Sequence, residues 1–228
     1  MNKTSGFLKV CMFGTVMSAG LYADISITNP SFETPIQGSP GYTYYAQSCA
    51  TTCPTTVDGW TFDNTGSTGA FVGHSGGAGI AANGSAFTNT NDNAPDGKQV
   101  LFLQNQSSAS QLLHGFTVGD SYTLSFYLAS RNNALGPYPE LAVTFSGGGG
   151  AVGLFAQGAA YKEFNVKFQA TSQDETLTFA GVQPPDSDRT LFIDDVSITP
   201  EPGYFAVLVS GIVGLIFFER RRVRSRQP

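Results

Sequence analysis

Of the side chains that act as base, acid or nucleophile at neutral pH, the 228-residue chain offers few, and only two histidines. His74 lies in VGHSGGAG, a glycine-rich loop without the G-x-S-x-G or H-E-x-x-H spacing that activates a serine or seats zinc. The same loop lacks the Lys-Ser/Thr pair that completes a phosphate-binding turn. His114, in SQLLHGF, alternates with strand residues and reads as a half-exposed sheet position. Carboxylates are scattered. A glycosidase pair stays open from sequence, yet no spacing singles one out. The expectation from these residues is a chain that is not an enzyme, with no catalytic residue to name.

Binding chemistry is better represented. Sugars are held by aromatic faces with polar groups beside them. Tyr127 and Arg131 are neighbours on one face of SYTLSFYLASR, and Tyr161, Glu163, Asn165 and Lys167 share a face of YKEFNVKFQA. Tyr127, Arg131 and Tyr161 are the ligand-binding candidates, set against the plainer reading of a solvated sheet face. Trp60, after Asp58-Gly59, reads more readily as core packing than as a binding platform. Cys49 and Cys53 in SCATTCP suit a small local disulfide in an exported chain, a metal site being the other reading of so close a pair.

The two ends read as addresses. Lys3 and Lys9, the apolar run from Val10 to Met17, and then Ser18, Ala19, Gly20 and Ala23 follow the order of a signal peptide over residues 1–23. A buried N-terminal helix is the alternative. Near the other end, Gly203 to Phe218 carries no charge, and Arg220, Arg221, Arg222, Arg224 and Arg226 follow it. Sixteen residues of helix span roughly 24 Å, close enough to a ~30 Å hydrocarbon core once arginines snorkel. Arginines beside an apolar span stay cytoplasmic, so the expectation is a C-terminal transmembrane helix with the preceding domain outside the inner membrane. A core helix is the competing reading, and it leaves the arginines unexplained.

Between these ends, residues 24–199 make one domain. From Asp24 to Pro200 the chain has five basic and fifteen acidic residues, a net charge of −10. Such a field repels a phosphate backbone, so no nucleic-acid partner is expected. The apolar pattern has period two. Tyr122, Leu124, Phe126 and Leu128 share a face, as do Leu141, Val143 and Phe145, and Phe164, Val166 and Phe168. KQVLFLQ, SQLLHGF, ETLTFAG and TLFIDDVSIT supply further strands. The fold class expected is all-β, a two-sheet antiparallel jelly-roll sandwich. In TLFIDDVSIT, Leu191 and Ile193 have one parity while Val196 and Ile198 have the other, which predicts a β-bulge at Asp194-Asp195 and a redirected carboxylate.

Two resemblances add to this. The tripeptide Pro200-Glu201-Pro202, the apolar span and the arginine cluster resemble the PEP-CTERM sorting signal of Gram-negative bacteria. That resemblance implies an exosortase-type processing enzyme as partner, transient inner-membrane anchoring and delivery to the cell surface or extracellular matrix. ITNPSFETP, DGW, PDGKQVLFL, VGDSYTLSFYLA and FIDDVSI, in that order, resemble carbohydrate-binding modules of the galactose-binding-domain-like jelly-roll type. That family implies a structural Ca²⁺ held by Glu33, Asp195 and the carbonyls of Lys98 and Asp96, and such an oxygen set suits calcium. The functional expectation is a non-catalytic, exported module with extracellular polysaccharide as its partner. The alternative is a structural biofilm-matrix or surface-display protein without a specific sugar.

Overall fold

The computed structural model describes residues 25–47, 55–64, 77–132, 139–156, 158–182 and 189–201. The chain divides into a unit of residues 23–203 and a second unit made of residues 1–22 and 204–228, the latter outside the described residues. The signal-peptide and transmembrane expectations, the Cys49–Cys53 pair, His74 and Pro202 therefore fall where no structure is described. Among the described residues no helix is long and apolar enough to cross a membrane.

Alternating apolar residues produce what their period dictates. β1 (Tyr42–Gln47), β4 (Gly77–Ala82), β5 (Gln99–Gln104), β7 (Ser121–Ser130), β10 (Lys162–Gln169) and β12 (Thr190–Pro200) form one sheet in the order β1-β4-β5-β12-β7-β10. β2 (Thr55–Val57), β3 (Trp60–Asp63), β6 (Ser108–His114), β8 (Glu140–Phe145), β9 (Gly150–Phe155) and β11 (Asp174–Gly181) form the other, in the order β2-β3-β6-β11-β8-β9. The pairings are antiparallel. The expected all-β jelly-roll sandwich is the fold.

The core lies between the sheets. Leu124, Phe126 and Leu128 of β7 meet Leu177 and Phe179 of β11 and Leu141 and Val143 of β8 in one buried cluster. Each such side chain contributes roughly 1.5–3 kcal/mol by leaving water. Trp60 belongs to this core, fully buried, with its ring 5.1 Å from Phe32 and 6.0 Å from Phe179. Its Nε1–H donates to the carbonyls of Thr28 and Asn29, at 3.0 and 3.2 Å, so the polar edge of the indole is satisfied. His114 is exposed on β6 and pairs with Asp174 across the β6–β11 ladder at 2.7 Å.

The bulge is where the sequence puts it. The β12–β7 register shifts between Asp194 and Ser197, and Asp195 takes φ +49°. Leu191, Ile193, Val196 and Ile198 all reach the core as a result.

One expectation needs correction, that VGHSGGAG is a loop throughout. Gly77 to Gly79 are strand, not loop, because β4 is flanked so closely that side chains would not fit: a Cβ on Gly79 would lie 2.8 Å from the Phe102 ring. Ser146 to Gly149 form the turn after β8, and the glycine run continues into β9 at Gly150.

Candidate functional site

β5 and β12 are buried on both faces. Val100, Leu101, Phe102 and Leu103 are all fully buried, as are Phe192, Ile193 and Asp194. Leu101, Leu103 and Ile193 face the core, whereas Phe102, Val100 and Phe192 join a separate cluster with Ala81, Phe87 and Ala129, flanked by Tyr44, Ala94 and Tyr161. This cluster sits on the outer face of the first sheet.

Strand register fixes its floor. Phe192 faces Ala129 on one side and Phe102 on the other; Phe102 faces Gly79, and Gly79 faces Tyr44. The next row on the same face has Asp194 opposite Tyr127, and Tyr127 opposite Glu163. Residues 83–98, which join β4 to β5, form the roof. Phe87 of this segment stacks on Phe102 at 5.0 Å and 17°, and Tyr44 stands edge-on to both, at 5.9 and 5.0 Å. Tyr42 closes edge-on against Phe87 at 4.7 Å.

Polar contacts hold the roof down. The Arg131 guanidinium lies 5.1 Å from the Phe87 ring centre, and its Nη2 donates to the Ala86 carbonyl at 3.0 Å. Asn91 Nδ2 donates to the carbonyls of Ser130 and Ala159, and the Asp92 N–H also reaches Ala159.

Asp194 is the only acidic residue of this floor that is fully buried among the described residues, and it is half satisfied. Its Oδ2 accepts from the Asp96 N–H at 2.9 Å; its Oδ1 is sealed from solvent and has no hydrogen-bond partner. Burial pushes its carboxyl up to about 8, against the hydrogen bond from the Asp96 N–H, with the nearby charges of Asp195 and Asp96 adding to the rise. The group therefore carries a proton at neutral pH. Two other buried atoms lack partners here, the Tyr161 hydroxyl and Asn91 Oδ1.

Three ligand candidates from the sequence border this floor. Tyr127 is half-buried opposite Asp194, Tyr161 packs against the apolar cluster, and Arg131 clamps the roof. Glu163, Asn165 and Lys167 are exposed beyond it. Asn165 Oδ1 accepts from Ser125 Oγ at 2.6 Å, and Lys167 pairs with Glu201 at 2.6 Å. Pro200 ends β12, and Glu201 follows it, accepting from Thr123 Oγ1 of the neighbouring β7 at 2.7 Å.

The calcium set is assembled only in part. Glu33 meets the Asp96–Gln99 turn, but its Oε1 accepts from the N–H groups of Lys98 and Gln99, both at 2.7 Å. Asp96 Oδ2 accepts from Ser31 Oγ at 2.6 Å, the Lys98 carbonyl accepts from the Asn83 N–H, and Asp195 is exposed. Among the described residues no three acidic, histidine or cysteine side chains are arranged to hold a metal ion. Of the expected set, Glu33 and the Asp96–Lys98 turn lie together, held by hydrogen bonds of the chain itself.

Sequence reasoning missed Phe87, Phe102, Phe192, Tyr44 and Asn91. The signal was present in the unbroken apolar runs VLFL and LFI, which mark strands covered on both faces.

Comparison with known proteins changes the functional reading. The family model described as HpiC1-like, HpiC1 cyclase, matches residues 23–185. Two solved structures share the fold at a TM-score of 0.58, each covering 79% of this chain and 98% of their own. One is a cyclase from Fischerella sp. TAU in complex with 4-(1H-indol-3-yl)butan-2-one, 20% identical; the other is the Stig cyclase Fisc from the same source in complex with (3Z)-3-(1-methyl-2-pyrrolidinylidene)-3H-indole, 21% identical. The carbohydrate-binding module TmCBM61, in complex with β-1,4-galactotriose, aligns at a TM-score of 0.43 and 14% identity over 78% of this chain and all of its own, too loosely to bear on function. No curated protein is significantly similar. The family match overturns the expectation of a non-catalytic sugar-binding module and its structural-protein alternative, and with them the expectation that the chain is not an enzyme. Among the described residues the buried, half-satisfied carboxyl of Asp194 stands alone in this floor, and a lone carboxyl has no sequence motif.

Proposed function

The chain belongs to the HpiC1-like cyclase family, and we propose that it closes a ring on a flat, largely apolar substrate by donating a proton from Asp194. The observation that carries this reading is the sealed, unpartnered Asp194 Oδ1 at the margin of an aromatic cluster. With Oδ2 accepting from the Asp96 amide, a proton on Oδ1 has no acceptor within the chain and is free for one on the substrate. Protonation of a substrate double bond or ring nitrogen leaves a cation, and the Asp194 carboxylate formed in the same step is the counter-charge beside it. A carbon–carbon bond then forms at the expense of a π-bond, and loss of a proton to the Asp194 carboxylate restores the acid. Substrate and product are isomers of equal mass.

The indole compounds held by the two Fischerella cyclases suggest an indole-like ring as the aromatic body. The test is to incubate the chain with indoles bearing alkenyl side chains and look for a new isomer of unchanged mass by chromatography with mass detection. Failure of every member of the panel to isomerise would remove this reading.

Export is a second, separate proposal. The charged, apolar and small-residue order of the first 23 residues, and the Pro-Glu-Pro, apolar and arginine order of the last 29, support passage across the inner membrane and temporary anchoring there. Cleavage by an exosortase-type enzyme would then release the chain to the surface or matrix. Intact mass of the surface protein tests this: residues beyond the Pro-Glu-Pro region should be missing, and a full-length chain would reject it.

A further inference from the structure

Resting on the cyclase reading above, we infer that the Tyr161 hydroxyl and the Asn91 side-chain carbonyl form a second polar anchor, a donor and an acceptor that select a neutral substrate carrying both a hydrogen-bond acceptor and an N–H. Both atoms are buried and neither has a partner. A buried hydroxyl or amide oxygen without a hydrogen bond is costly, so such atoms in a well-packed protein call for a partner from outside the chain.

Their roles follow from their surroundings. Asn91 has its amide orientation set by Nδ2, which donates to the carbonyls of Ser130 at 2.8 Å and Ala159 at 3.2 Å. An oxygen in that place would face two acceptors, so Oδ1 is the free atom and accepts. Tyr161 keeps its proton. Burial drives its pKa far above the ordinary phenol value, and the charges of Asp194 and Asp92 push it further, so it donates. Ala159, which accepts from both Asn91 and Asp92, lies two residues before Tyr161 and brings roof and strand to one corner. Neither anchor carries charge, so the group recognised is a neutral one.

The spacing suits a two-ring heterocycle. Tyr161 directly precedes β10, and β10 and β12 flank β7. Two strand spacings separate its backbone from that of Phe192 by roughly 10 Å. Ala129, buried and opposite Phe192, sits between them. The inferred ligand reaches from Asp194 to the corner held by Tyr161 and Asn91.

The experiment is a chemical cycle read by isothermal titration calorimetry. The probes are 4-(1H-indol-3-yl)butan-2-one, its 1-methyl derivative, and 3-butylindole, which lacks the ketone. The chains are wild type and Tyr161→Phe, with matching melting curves as the check on folding. We expect wild type to prefer the ketone over 3-butylindole by about fivefold to tenfold, the worth of one neutral hydrogen bond. Tyr161→Phe should erase that preference while leaving 3-butylindole affinity unchanged, and 1-methylation should weaken binding to both chains through Asn91. A purely structural role for Tyr161 would weaken all probes alike, and that outcome, or an undiminished ketone preference in Tyr161→Phe, overturns the anchor and leaves the cyclase reading standing. Wild type that binds none of the probes overturns both the anchor and the indole-like substrate.

Discussion

Asp194 and Asp195 are neighbours in sequence and opposites in environment. Asp194 is fully buried under the roof segment, whereas Asp195 is exposed at φ +49°, turned out by the bulge. The pair differs in what pH does to it. Asp194 has a folded-state pKa near 8 against 3.8 in the open chain, so the folded protein binds the extra proton over that interval. Its stabilising contribution is complete below about pH 4 and is lost as pH rises towards 8. Wild-type melting temperature should decline across that window. Asp194→Asn, which keeps an acceptor for the Asp96 amide, should flatten the decline; an unchanged slope in the variant would show that Asp194 does not hold the proton.

Glu175 shows the reverse sign. It is buried, which alone would raise its pKa, but the N–H groups of Thr171 and Gly147 and the hydroxyls of Thr171 and Ser146 hold it below the usual carboxylate range. It ties the turn after β8 to the turn before β11. Its stabilising effect is present above the ordinary glutamate pKa and disappears as pH falls through the lowered one. Glu175→Gln sets an amide NH₂ against those donors and should cost about 2–3 kcal/mol in urea denaturation at pH 7, with the gap narrowing in acid.

Gly97 and Gly84 make a matched comparison. Both have a left-handed backbone, at φ +71° and +73°. A Cβ on Gly84 meets open space, whereas one on Gly97 collides with the Glu33 carboxyl that accepts from Lys98 and Gln99. Gly84→Ala should cost about 1 kcal/mol from backbone conformation alone. Gly97→Ala should cost about 2–3 kcal/mol, because the Glu33 hydrogen bonds go with it. Equal losses would place Glu33 outside the architecture of the turn.

Much of the frame was legible before any coordinates. Alternation marked β7, β8, β10 and β11, and the parity break in TLFIDDVSIT located the bulge and foretold a redirected aspartate. What stayed hidden depends on long-range packing. β4 reads as loop because GAGIAA carries no bulky alternation, and its strand character comes from neighbours on both sides. The expected polar outer face held for Glu163, Asn165 and Lys167 but failed at Phe102 and Phe192, since nothing local reports that residues 83–98 fold back over them. The two neighbouring aspartates were not told apart by sequence. The resemblance to carbohydrate-binding modules pointed to Asp195, as a calcium ligand, and it is Asp194 that is buried while Asp195 is exposed.

The central claim is that a single buried carboxyl supplies the proton for ring closure. The direct test is the rate of isomerisation by Asp194→Asn relative to wild type at pH 6.5, on whichever alkenyl indole wild type converts, with probe binding measured alongside. The account predicts a loss of at least about 100-fold in rate with affinity for 4-(1H-indol-3-yl)butan-2-one kept within about threefold, and a wild-type rate that falls as pH rises through about 8. An Asp194→Asn chain that turns over as fast as wild type would contradict it.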